Sequence, residues 1–139
     1  MEPRPGDPPP RPLVLIADGH DDTLALYAVA LSAMGFEVLA AKDSAKAYNR
    51  AWTLHPAIIA TDLTLRDGNG WELLQRLKDD ARTRDIPVVL LTTDVQPALQ
   101  QRAEREGFAA LFPMPCSPGE LAACLRQVLY ARTYAEVRR

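Results

Sequence analysis

Cysteine is scarce in this sequence: Cys116 and Cys124 are the only two, too few for a disulfide framework and too far from either histidine for a zinc site. They are expected as small apolar thiols in a reducing cytoplasm. Long hydrophobic runs are missing as well. No stretch approaches the roughly 18 apolar residues that span a bilayer, and the opening "MEPRPGDPPPRP" lacks the apolar core of a signal peptide. A cytoplasmic location without membrane association is the expectation. Charge of one sign is absent too, with a net charge of −2 and no polybasic stripe, so nucleic acid is not an expected partner of this domain.

What is present is one domain's worth of chain, 139 residues with 47% hydrophobic and 24% charged side chains. Residues 1–12, rich in proline, are expected as a disordered or extended tail. A folded domain is expected over 13–132, with 133–139 ending the last helix or trailing from it. Within the domain, apolar runs "LVLIA" (13–17), "FEVLA" (36–40), "AIIAT" (57–61), "PVVLLT" (87–92) and "FAALF" (108–112) read as five strands. Segments of helical period separate them: Leu24, Tyr27, Leu31 and Met34 in the first, about 43–54 for the second, Trp71, Leu74 and Leu77 in the third, then about 95–106 and 117–132. Gly35 and Gly107 stand where helices end, and Ser117 with Glu120 resembles a capping box. Strands one, three and four are apolar on successive residues, as strands covered on both faces are. Five βα units of this kind give a doubly wound α/β sandwich around a parallel sheet, whose sites lie at the carboxyl ends of the strands.

Those ends carry Asp18, Asp62, Thr92 and the "PMP" of 113–115. Polar loops kept for solubility are the bland alternative for any one of them. Local spacing speaks against it. In "PAIIATDLTLRDGNGWELLQRLK" (56–78), Asp62 ends a strand and Gly70 precedes an amphipathic helix; "DIPVVLLTT" (85–93) and "GFAALFPMPCSPGEL" (107–121) follow. In these three blocks the chain resembles the CheY-like receiver domains of two-component response regulators, from residue 13 to about 131. The resemblance implies a (βα)5 flavodoxin-like sandwich with strand order 2-1-3-4-5. It also implies a phosphotransfer switch, in which a histidine kinase or phosphotransfer protein is the donor and a downstream protein reads the fourth and fifth helices. Homodimerisation is compatible with it. Asp62 matches the phosphoacceptor, and Thr92 the hydroxyl that reorients toward the phosphoryl oxygen.

Two positions depart from the family pattern. Two adjacent acids usually follow the first strand, and here they fall on Asp18 and Gly19. The second acid is the usual direct Mg²⁺ ligand, beside the acceptor and the backbone carbonyl matched by Thr64. The site Asp18, Asp62 and Thr64 is therefore expected to bind Mg²⁺ weakly or not at all, and His20 is a poor substitute for a hard cation. Met114 stands where the family has lysine, ahead of Pro115, whose peptide bond is cis in the family; a thioether offers neither charge nor donor. Three acids and one lysine sum to −2, as do two acids alone, so the two losses offset each other in charge while weakening phosphoryl stabilisation.

The remaining residues read more blandly. Arg66 is a candidate for some of the missing positive charge, although exposed loop arginines are more often solvated. "DGNG" (67–70) is a flexible turn rather than a calcium loop, because its downstream glutamate is out of register. His55 sits at a helix end, Asp21, Asp22 and Thr23 cap and charge the first helix, and Trp52 and Trp71 are packing residues. Tyr130 and Tyr134 lie on the last helix. Two rival readings stand beside the switch: a pseudo-receiver that binds its partner whatever its phosphorylation, and a magnesium-dependent phosphohydrolase. The second lacks an aspartate two residues after Asp62, where Thr64 stands.

Overall fold

The computed structural model describes residues 11–137, and side chains through residue 131. The proline-rich segment 1–10, residues 138–139 and the side chains of 132–137, that of Tyr134 included, lie outside what is described. Arg11 and Pro12, expected in the tail, are fastened to the domain. The Arg11 guanidinium donates to the Ser32 and Phe36 carbonyls, and Glu37 N–H donates to the Pro12 carbonyl at 2.9 Å.

The elements follow in the order β1 (Leu13–Ala17), α1 (Asp21–Ala33), β2 (Glu37–Ala41), α2 (Ser44–Leu54), β3 (Ile58–Asp62), β4 (Thr64–Leu65) and β5 (Gly68–Asn69). Then come α3 (Gly70–Asp79), β6 (Val88–Thr92), α4 (Pro97–Glu106), β7 (Ala110–Pro113) and α5 (Pro118–Val137). A two-residue antiparallel hairpin, β4 with β5, interrupts the expected alternation, so the fourth and fifth expected strands are β6 and β7. The main sheet is parallel throughout, in the order β2-β1-β3-β6-β7, which is the expected 2-1-3-4-5.

Successive residues of the central strands are buried on opposite faces, which explains their unbroken apolar runs. Val14 and Ile16 pack with Leu24, Tyr27, Leu31, Leu121 and Leu125 of α1 and α5. Leu15 and Ala17 pack with Ala47, Leu73, Leu74, Leu77 and Ala103 of α2, α3 and α4. The last strand starts later than its apolar run. Gly107 ends α4 in the left-handed region, φ 110°, and Phe108 turns away from the sheet edge to meet Trp71 edge-on at 5.5 Å. Trp71 therefore packs as expected. Trp52 does not: it is among the exposed large apolar side chains, with the Arg82 guanidinium stacked on its ring.

Helix α2 begins with its orphan N–H groups unusually well satisfied. Asp43, at its N-cap, accepts from Lys46 N–H at 2.7 Å, and Asp67 reaches across from the β4–β5 turn to accept from Ser44 and Ala45 N–H. The "DGNG" segment is thus a turn but a pinned one, not a flexible one. Asn69 caps α3 by accepting from Glu72 N–H, and a Cβ at Gly70 would lie 2.6 Å from the Asp62 carbonyl oxygen. At the start of α5, Ser117 accepts from Glu120 N–H at 3.1 Å, one half of the expected capping box.

Candidate functional site

At the carboxyl end of the sheet, Asp18, His20, Asp62, Thr64, Thr92, Met114 and Pro115 line one open cleft of ≈ 550 Å³. β1 and β3 lie side by side, so the residues that end them emerge together. Of the strand-end residues singled out in the sequence, Gly19 and Pro113 do not line this cleft; Gly19 N–H donates to the Thr64 carbonyl at 3.2 Å.

Asp62 is half-buried, and its Oδ1 accepts from Leu63 N–H at 2.7 Å. Burial, followed by the charge of Asp18, raises its pKa above the usual carboxylate range, against the opposing backbone N–H groups of Leu63 and Thr64. Thr92 is buried. Its Oγ1 accepts from Asp94 N–H at 3.1 Å, which leaves the hydroxyl proton free to donate.

Asp18 is 5% exposed. One of its oxygens accepts from His20 N–H and from His20 Nδ1, each at 2.8 Å. That hydrogen bond, together with the Asp18 charge, raises the His20 pKa. The legible signal was an aspartate two residues before the histidine at a strand end: the Asx turn folds position i+2 back over the carboxylate. His20 also stands at the N-cap of α1 with no side-chain cap, and the expected capping by Asp21, Asp22 and Thr23 is not made. Asp21 and Asp22 contribute charge in the first turn only. Asp21 pairs with Lys42 and Arg66, and Arg66 Nε donates to the Gly19 carbonyl at 3.2 Å. Arg66, exposed as expected of a loop arginine, also clasps the β4–β5 turn to the β1–α1 loop.

On the opposite wall the Met114–Pro115 bond is cis, and Met114 N–H donates to the Thr92 carbonyl at 2.8 Å. The turn presents a thioether to the cleft rather than a cation. The Met114 thioether lies among Tyr27 Oη and Cys116 Sγ, at 3.7 and 3.5 Å. Tyr27 donates to the Cys116 carbonyl, and burial pushes its pKa up to about 12, so this wall stays neutral. Cys116 and Cys124 are free thiols, as expected.

The response regulator receiver domain family matches residues 14–126. The chain is 34% identical over 116 residues to the phosphate regulon transcriptional regulatory protein PhoB of Pseudomonas aeruginosa, covering 84% of this chain and 51% of that protein. It is 28% identical over 104 residues to the polar-differentiation response regulator DivK of Brucella ovis, covering 75% of this chain and 85% of that one. The chain thus spans about half the length of the PhoB relatives it matches. In fold it superposes on the chemotaxis response regulator CheY4 of Vibrio cholerae with a TM-score of 0.80 at 23% identity, covering 85% of this chain and 98% of that chain. The chain belongs to the response regulator receiver domain family. Among the described residues no helix is long and apolar enough to cross a membrane.

Two carboxylates and the Thr64 carbonyl, which accepts from Gly19 N–H and keeps a second lone pair, suit Mg²⁺ as oxygen donors. Mg²⁺ held here by Asp18 and Asp62 would keep most of its waters.

Proposed function

We propose that this receiver accepts a phosphoryl group on Asp62 from a histidine kinase or phosphotransfer protein in two-component signal transduction, with a weakened Mg²⁺ site and no switch lysine. The observation that carries the reading is a carboxylate fixed at the end of β3, opening with Thr92 into one cleft. An Asp62 oxygen attacks phosphorus, a new O–P bond forms as the donor's N–P bond breaks, and the donor's imidazole leaves with a proton. Mg²⁺, when bound, supplies positive charge to the phosphoryl oxygens. The raised pKa of Asp62 still leaves a nucleophile that ionises more readily as a cation approaches. Thr92 donates its free hydroxyl proton to the phosphoryl oxygen, and its backbone bond to Met114 offers a path to the α4 and α5 face where a partner reads the state. The domain acts as a switch in the cytoplasm rather than as an enzyme.

One observation favours a second reading, the phosphorylation-independent pseudo-receiver: Met114 lies among neutral groups, so no lysine responds to the acyl phosphate. Incubating the chain and Asp62→Asn with acetyl phosphate and Mg²⁺, followed by intact mass measurement, separates the two. A gain of one phosphoryl group by the parent alone is the expected result. No gain with acetyl phosphate or any kinase, and partner binding indifferent to Asp62→Asn, would establish the pseudo-receiver instead.

A further inference from the structure

Helix α1 is apolar on both of its sides. Leu24, Tyr27 and Leu31 pack into the core, while Leu26 and Val29 on the outer side are 58% and 73% exposed. No charged residue occurs from Thr23 to Phe36, whereas the outer faces of α3 and α4 carry charge, Arg76 on the one and Arg105 on the other. A surface helix is ordinarily polar on the side away from its core, and a helix that is apolar all round is one that is covered all round. Asp22, Leu26, Val29 and Ala33 are all exposed and recur at steps of four, three and four, so they form a single seam along the helix.

The two ends of this seam carry opposite charges. Asp22 stands at its N-terminal end, and Arg11 at its C-terminal end, where the Ser32 and Phe36 carbonyls hold the guanidinium. Neither forms an ion pair among the described residues, although the adjacent Asp21 does so with Lys42 and Arg66. We propose that the seam is the interface of a homodimer in which two copies of α1 pack antiparallel about a twofold axis. That arrangement sets Leu26 of each copy against Val29 of the other, and Asp22 of each beside Arg11 of the other. A parallel arrangement would instead face Asp22 with Asp22, a like-charge contact. A second copy therefore matches both the apolar centre of the seam and its charged ends. A helix of 13 residues is about 20 Å long, so the contact lies at the small end of specific interfaces, with a dissociation constant on the order of 10–100 μM. The dimer does not depend on Asp62 being an acceptor.

Sedimentation velocity of the full chain over a concentration series tests this on the parent, Leu26→Asp, Asp22→Arg and Arg11→Glu, with circular dichroism and a thermal melt verifying each fold. The parent is expected to pass from monomer to dimer. Leu26→Asp should weaken the dimer at least about tenfold, and its exposure in the single chain leaves the fold intact. Each charge reversal alone should weaken it about tenfold, because it turns two attractive contacts into two repulsive ones. An equimolar mixture of Asp22→Arg and Arg11→Glu should recover the parent's association, since only the mixed pair has opposite charges at both ends. Recovery on mixing distinguishes an interface from a structural role of either residue. A parent still monomeric at about 1 mM would overturn the proposal and leave the seam to a different protein. A dimer indifferent to Leu26→Asp, which places the contact on another face, would overturn it too, as would a mixture that stays monomeric while both variants are folded.

Discussion

Two walls of the same cleft have been treated differently. The connection from Asp62 to Gly70 is braced at nearly every residue: Leu63 N–H holds the Asp62 carboxylate, Arg66 clasps Gly19, Asp67 fastens the turn to α2, and Gly70 lets α3 start against the Asp62 carbonyl. The β1–α1 and β7–α5 connections, the latter with its cis Met114–Pro115 bond, carry Gly19 and Met114, which bring no charge to the cleft. Backbone architecture and charge are therefore separable in this fold. On the function proposed above, the scaffold that positions Asp62 stands without a charge at Gly19 or Met114 to stabilise a transferred phosphoryl.

Breaking the braced wall should have the largest effect. Gly70→Ala places a methyl group against a backbone oxygen that no rotamer can move, so a stability loss of about 2–3 kcal/mol is expected in urea unfolding. Restoring the altered wall comes next. Gly19→Asp with Met114→Lys should raise the rate of Asp62 phosphorylation by acetyl phosphate about tenfold, a barrier change of about 1.4 kcal/mol. An unchanged rate would contradict the role given to the lost charges. Because a Cβ at residue 19 lies 3.2 Å from the Thr64 oxygen, Gly19→Asp alone should also shift the Leu63 and Thr64 amide resonances.

Asp67→Asn loosens the brace without removing it, and about 0.5–1 kcal/mol of stability should be lost at pH 7. The pH dependence has a definite sign. The Ser44 N–H, and then that of Ala45, hold the Asp67 carboxyl below its ordinary value of 3.8. Its contribution is present above pH 3.8 and is lost as the pH falls through the depressed value, so parent and variant should converge in acid. The smallest effect belongs to Arg66→Ala. Its partners are exposed, so stability should change by less than about 0.5 kcal/mol, while phosphorylation by an anionic donor slows about twofold.

The sheet was legible because burial on both faces leaves a local trace, the unbroken apolar runs of β1, β3 and β6. The convergence of Asp18, Asp62, Thr92 and Met114 followed from topology alone, since parallel strands share one carboxyl end. What escaped the sequence was contact made by side chains across loops. Nothing local marks Asp67 as a cap for a helix that begins 23 residues earlier, or Arg66 as a partner for Asp21. The contact of His20 with Asp18 went unread for a related reason: His20 was weighed only as a ligand type, whereas the turn that places it on Asp18 is a backbone event. Trp52 was misjudged because helical spacing says which residues share a face and not whether that face is covered.

The bond from Asp67 to α2 also makes two amide protons into remote gauges. Ser44 and Ala45 can exchange with solvent through this path only when Asp67 lets go, and Asp67 sits on the same short connection as Asp62. Their exchange rates would report whether that loop has tightened or opened, without a label placed anywhere near Asp62.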